Sequence, residues 1–114
     1  MKITSRLQND IVVFDIDGEI KRSPDITDIT LHQLVKEQLD AGHRKILMNF
    51  SRVEFIDSYG VGEILASHIS VSNIGGQLKL ARLSKKLFLI FQVTGLIRVL
   101  HIADDEDTAL KDFN

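Results

Sequence analysis

Apolar positions fall into short runs whose spacing alternates between two periods. Ile3 to Leu7 reads as a short first strand. A stronger one begins after Asp10, with Ile11, Val12, Val13, Phe14 and Ile16, because β-branched and aromatic residues favour the pleated backbone. Asn9-Asp10 between them reads as a tight turn, which predicts an antiparallel hairpin. Gly18 is expected to end the second strand. Ser23-Pro24-Asp25 is a helix-start signal, and Leu31, Leu34, Val35 and Leu39 follow at helical spacing, with Gly42 as the stop. Lys45-Ile46-Leu47-Met48-Asn49-Phe50 reads as a buried strand, followed by a loop through Asp57. A second helix is predicted from Ser58 to Asn73, with Val61, Ile64, Leu65 and Ile69 on its apolar face, and Gly75-Gly76 ends it. Gln77 to Leu83 alternates polar and apolar residues as a half-covered strand does. Ser84 caps a third helix carrying Leu87, Ile90 and Phe91, which ends near Gly95. Leu96 to Ile102 supplies a last strand, and Asp104 to Asp107 open a final helix with Ala109, Leu110 and Phe113.

The resulting order, ββαβαβαβα, predicts an α/β fold. Strands that alternate with helices pair in parallel through right-handed crossovers, so the sheet is mixed: about five strands, mainly parallel, with an antiparallel N-terminal hairpin and about four flanking helices. A chain of 114 residues, 44% hydrophobic and 26% charged, suits one domain with one core over residues 1–114. The formal net charge of −2 gives no basic surface for nucleic acid. No apolar run approaches the length that spans a bilayer, and Met1-Lys2-Ile3-Thr4-Ser5-Arg6 lacks a signal-peptide stretch, so a cytoplasmic location without membrane contact is expected. With no cysteine there is no disulfide, thiolate metal site or cysteine nucleophile.

The chemically informative segment is Phe55-Ile56-Asp57-Ser58-Tyr59-Gly60-Val61-Gly62. It lies where a buried strand passes into a helix. Ser58 falls at the N-cap or in the first turn, near unpaired backbone N–H groups and the positive end of the helix dipole. Gly60 and Gly62 are expected to keep the surrounding surface low. On spacing alone, Asp-Ser before a helix reads as an ordinary cap and the nearby glycines as common loop chemistry. Gly60-x-Gly62 does not enclose the serine as a nucleophile elbow does, and no histidine and carboxylate are spaced as triad partners. His32, His43, His68 and His101 show no ligand spacing, and His68 reads as a satisfied core group. Asp104 to Asp107 lack the periodicity of a calcium loop. No metal, cofactor or intrinsic catalysis is therefore expected.

Asp57-Ser58-x-Gly60-Val61-Gly62 resembles the Asp-Ser-Ser/Thr-Gly-Leu-Gly signature of bacterial anti-sigma-factor antagonists of the STAS family. Four further segments resemble that family in order: Gly18-Glu19-Ile20, Ile46 to Phe50, Gly75-Gly76-Gln77-Leu78, and Phe91 with Thr94-Gly95-Leu96. The resemblance implies a STAS-like fold and a partner-switching signalling role in transcription regulation. It implies that an anti-sigma factor, which is also a serine kinase, phosphorylates Ser58, that the unphosphorylated form binds this kinase, and that a PP2C-type phosphatase resets the switch. Asp57, Ser58, Tyr59, Gly60, Lys21 and Arg22 are then the expected partner-binding residues. A phosphate at a helix start is locally tolerated, although Asp57 repels it, so the modification is expected to act on the binding surface.

The chain departs from the family pattern at three places. Tyr59 stands where the family has Ser or Thr. It leaves open a second reading, a constitutive scaffold or adaptor in a larger, stressosome-like signalling assembly. Lys21-Arg22 replaces an expected acidic position, and is either a solvated loop, a basic pair facing the phosphate, or a contact for an acidic patch on a different partner. The third helix is apolar around much of its circumference. Phe88 and Leu89 are either covered by a neighbouring loop or form a protein-binding or self-association patch.

Overall fold

A computed structural model describes residues 1–25 and 27–113; Ile26 and Asn114 lie outside the described residues. Strand β1 (Lys2–Gln8) pairs antiparallel with β2 (Ile11–Ile20), from Lys2 opposite Asp17 to Gln8 opposite Ile11. The two-residue connection turns at Asn9, whose φ of 58° is left-handed, a conformation asparagine tolerates well. Strands β3 (Lys45–Ile56), β4 (Gln77–Ala81) and β5 (His101–Ala103) add in parallel, giving one sheet in the order β1-β2-β3-β4-β5. Helices α1 (Leu31–Asp40), α2 (Ser58–Asn73) and α3 (Lys85–Val93) contribute to a core with Phe14, Ile46, Met48, Phe50 and Leu80 on one sheet face. Helix α4 (Glu106–Lys111) packs Ala109, Leu110 and the following Phe113 on the other face, against Ile11, Val13, Leu47 and Ala81. The expected mixed sheet, N-terminal hairpin and four helices are all present.

Several boundaries differ from those read in the sequence, each for a local reason. β2 does not end at Gly18 but passes through it, because glycine accepts the φ of 108° required there. β3 does not stop at Phe50. Two register shifts against β2 place Ser51-Arg52 and Glu54-Phe55 as consecutive exposed pairs, so bulges hide the strand period that hydropathy relies on. Ser23-Pro24-Asp25 does not start α1. The Ser23 hydroxyl donates to Asp28 and accepts from the Asp25 N–H, while the Asp25 carboxylate accepts from Thr27, so these side chains close turns. Thr30 caps α1 in a reciprocal box with Gln33. β4 ends at Ala81, where Arg82 takes a φ of 66°. Leu96–Arg98 forms a 3₁₀ turn after Gly95, which shortens the last strand to His101–Ala103.

Along α2 the buried positions are Gly60, Ile64, Ser67 and Val71, while Ile69 faces solvent. Ser67 is buried at no polar cost because its hydroxyl donates to the Glu63 carbonyl at 2.8 Å. His68, expected in the core, is half-buried.

Candidate functional site

The site is built by the parallel pairing of β2 and β3. Ile20 lies opposite Ile56 at the ends of the two strands, so the segment leaving β2 meets the segment entering α2. Two hydrogen bonds fix this junction: the Asp57 N–H donates to the Ile20 carbonyl at 3.2 Å, and the Arg22 N–H donates to Asp57 Oδ2 at 3.3 Å.

Asp57, not Ser58, is the N-cap of α2. Its Oδ1 accepts from the Gly60 N–H at 2.8 Å, which satisfies one of the unpaired donors of the helix start. The Gly60 bond is also the main reason the Asp57 carboxyl lies below its ordinary pKa. Partial burial opposes it, and the Arg22 and Tyr59 N–H groups add to it. The site therefore carries a firmly ionised, hydrogen-bonded carboxylate beside the serine.

Ser58 is the first helical residue. Its side chain is exposed and makes no hydrogen bond among the described residues. Tyr59 is half-buried, and the Arg22 guanidinium carbon lies 5.3 Å from the centre of its ring. Gly60 is buried rather than at the surface. A Cβ there would stand 2.2 Å from the Ile20 carbonyl oxygen and 2.7 Å from Ile56 Cγ1. Its place in the structure is close packing of α2 on the end of β2, which corrects the expectation that it lowers the surface around Ser58. Gly62 is exposed, with nothing near its Cβ position.

Of the basic pair, only Arg22 reaches the serine-bearing segment. Lys21 points elsewhere, with its ammonium 3.1 Å from Glu19 Oε1. A groove of about 900 Å³ runs beside the junction, and its walls include Lys21, Arg22, Glu54, Tyr59 and Glu63. Glu54 and Glu63 carried no signal in the sequence, because they join the site only through the β3 bulges and the turn of α2. On α3, Phe88 is 37% and Leu89 58% exposed, so no described loop covers them. Val93, at 80%, extends the same exposed surface. Among the described residues no cluster of His, Asp or Glu is arranged to hold a metal, and no helix is long and apolar enough to cross a membrane.

A mixed five-stranded sheet flanked by four helices, with a capped helix start that presents one unengaged hydroxyl, defines a small α/β domain. The chain belongs to the STAS domain family, whose model matches residues 2–109. A TM1081 homolog of Thermotoga neapolitana is 36% identical over 76 residues, 67% of each chain. The anti-sigma-B factor antagonist of Bacillus subtilis is 37% identical over 51 residues, 45% of this chain and 47% of that one. The same fold occurs in the Bacillus cell fate determinant SpoIIAA. Its phosphorylated form aligns with a TM-score of 0.70 at 23% identity, over 96% of this chain and 97% of that one. Its unphosphorylated form, solved as an anti-sigma factor antagonist, aligns with a TM-score of 0.67 at 20% identity, over 97% and 96%.

Proposed function

We propose that this chain is an anti-sigma-factor antagonist of the cytoplasm, a binding module without catalysis of its own, switched by phosphorylation of Ser58. The observation that carries this reading is the Ser58 hydroxyl: exposed, unbonded, and held at a rigid helix start by neighbours that are all engaged elsewhere. Family membership and relatives named as antagonists support it. In the proposed cycle, a serine kinase that is also the anti-sigma factor transfers the γ-phosphoryl group of ATP to Ser58 Oγ. ADP leaves, and the hydroxyl proton passes to the kinase's base. The added charge of about −1.5 to −2 disfavours a desolvated interface, so the phosphorylated form dissociates, and a PP2C-type phosphatase restores the hydroxyl.

Incubation with the cognate kinase and ATP, followed by mass spectrometry, tests the acceptor. Label is expected on the wild type and absent from Ser58→Ala, and label that persists in Ser58→Ala refutes the assignment. Pull-downs with wild-type and Ser58→Asp baits then read the switch, with the anti-sigma factor retained by the first and lost by the second.

A constitutive scaffold in a larger assembly is the second reading. The exposed α3 residues Phe88, Leu89 and Val93 favour it. A large complex that survives Ser58→Asp but dissociates in a Phe88→Asp, Leu89→Lys variant would select it over the switch.

A further inference from the structure

Arg22 is exposed, and its guanidinium has no ion-pair partner among the described residues. By contrast Arg6 is engaged by Asp15 and Glu106, Lys21 by Glu19, Lys45 by Asp10 and Arg52 by Asp17. Arg22 is nevertheless held in place. Its N–H is bonded to the Asp57 carboxylate, and its side chain lies over the Tyr59 ring. Asp57 and Tyr59 are the residues on either side of Ser58, so the Arg22 backbone is tied to one neighbour of the acceptor and its guanidinium, free of any ion pair among the described residues, lies over the other.

The helix start offers little to a phosphate at this position. The Asp57 carboxylate already accepts from the Gly60 N–H, and its charge repels a second anion. The Arg22 guanidinium, stacked on the Tyr59 ring next to Ser58, is a strong donor with no ion pair among the described residues, and its planar fork matches two phosphoryl oxygens. An exposed stacking contact with a tyrosine ring is a weaker hold than a charge-assisted, two-point bond. We infer that Arg22 is the intramolecular ligand of a phosphoryl group on Ser58, leaving the Tyr59 ring to bind two phosphoryl oxygens. Modification then alters the recognition surface twice: it adds a partly neutralised phosphate and uncovers the tyrosine ring. This rests on Ser58 being the acceptor.

Phosphoserine installed at position 58 of the full chain during translation tests the inference without any kinase. Phosphorus NMR in about 0.1 M salt follows the second ionisation of the phosphate. Its midpoint is expected about half a pH unit lower in the wild type than in Arg22→Gln, as for an exposed ion pair. Lys21→Gln removes the same charge one residue away and is expected to move the midpoint much less. Tyr59 is the only tyrosine and there is no tryptophan, so near-ultraviolet circular dichroism and tyrosine fluorescence report on this ring. Both signals should follow the phosphate midpoint in the wild type and be flat in Arg22→Gln. Equal midpoints in the wild type and Arg22→Gln, or an equal effect of Lys21→Gln, would overturn the role of Arg22. The acceptor reading is decided separately, by the kinase labelling of Ser58→Ala.

Discussion

Replacing Gly60 by alanine places a methyl carbon 2.2 Å from the Ile20 carbonyl oxygen, 2.7 Å from Ile56 Cγ1 and 3.0 Å from the Ile20 carbonyl carbon. Two of these contacts are backbone atoms of β2, which cannot rotate away. Either α2 lifts from the sheet or the end of β2 shifts, and that shift also strains the hydrogen bond from Asp57 to Ile20. Overpacking of this kind costs about 1–3 kcal/mol, and contact with backbone puts it near the upper end. Alanine returns up to about 1 kcal/mol of helix propensity, leaving a net loss of about 2 kcal/mol. Gly62 is the built-in control. It lies two residues further along the same helix with nothing within 4 Å of its Cβ position, so Gly62→Ala should stabilise by about 0.5–1 kcal/mol. With a urea m-value of about 1.5 kcal/mol/M, the unfolding midpoints of the two variants should separate by about 2 M, one on each side of the wild type. Midpoints that coincide, or that move in the same direction, would refute the claim that close approach of α2 to β2 dictates glycine at position 60.

Two further outcomes follow from the same geometry. Asp57→Ala removes the cap of α2 and should cost about 1 kcal/mol at pH 7. Because the folded-state pKa lies below the ordinary 3.8, the carboxylate stabilises the fold above that value and loses its contribution as pH falls through the depressed one. Urea midpoints of wild type and variant should therefore converge in acid, and a deficit unchanged at pH 2 would contradict the capping role. Phe91→Ala empties a fully buried site and ends an edge-to-face contact with Phe50, whose ring centre is 6.5 Å away. It should cost about 3–5 kcal/mol, whereas Leu89→Ala, one turn face away and largely exposed, should stay within about 0.5 kcal/mol; equal losses in the two would show that α3 packs through a different face.

The elements whose apolar positions keep one period were legible. The strand cores of β2 and β4 follow their β-branched and alternating runs, and α2 begins and ends at Ser58 and Asn73, where the turn after Asp57 and the Gly75-Gly76 stop put it. Legibility failed where polar side chains do structural work. Ser23 and Asp25 look like a cap but bond to each other and to Thr27 and Asp28. Ser67 takes a core position that hydropathy gave to Ile69. At the site, the Asp57-Ser58-Tyr59-Gly60 segment could be singled out because it is contiguous. The Arg22–Tyr59 contact could not, because 37 positions separate the two residues and only the pairing of Ile20 with Ile56 brings them together.

Within the motif, structural work and chemistry fall on different residues. Asp57 holds the helix start and the exit of β2, Gly60 permits the close approach, and Tyr59 receives Arg22. Ser58 has none of these duties, so a group added to its oxygen breaks no bond on which the fold depends. That separation makes a surface switch physically economical. A dianion at Asp57 or Gly60 would have to unmake the α2–β2 junction, and the domain would respond by loosening. At Ser58 the sheet, cap and core stay as they are, and the added charge is expressed only where a partner meets the surface. The same logic explains why the neighbours should tolerate far less change than Ser58 itself: Ser58→Ala leaves every contact of the junction in place, whereas substitution of either flanking residue removes one.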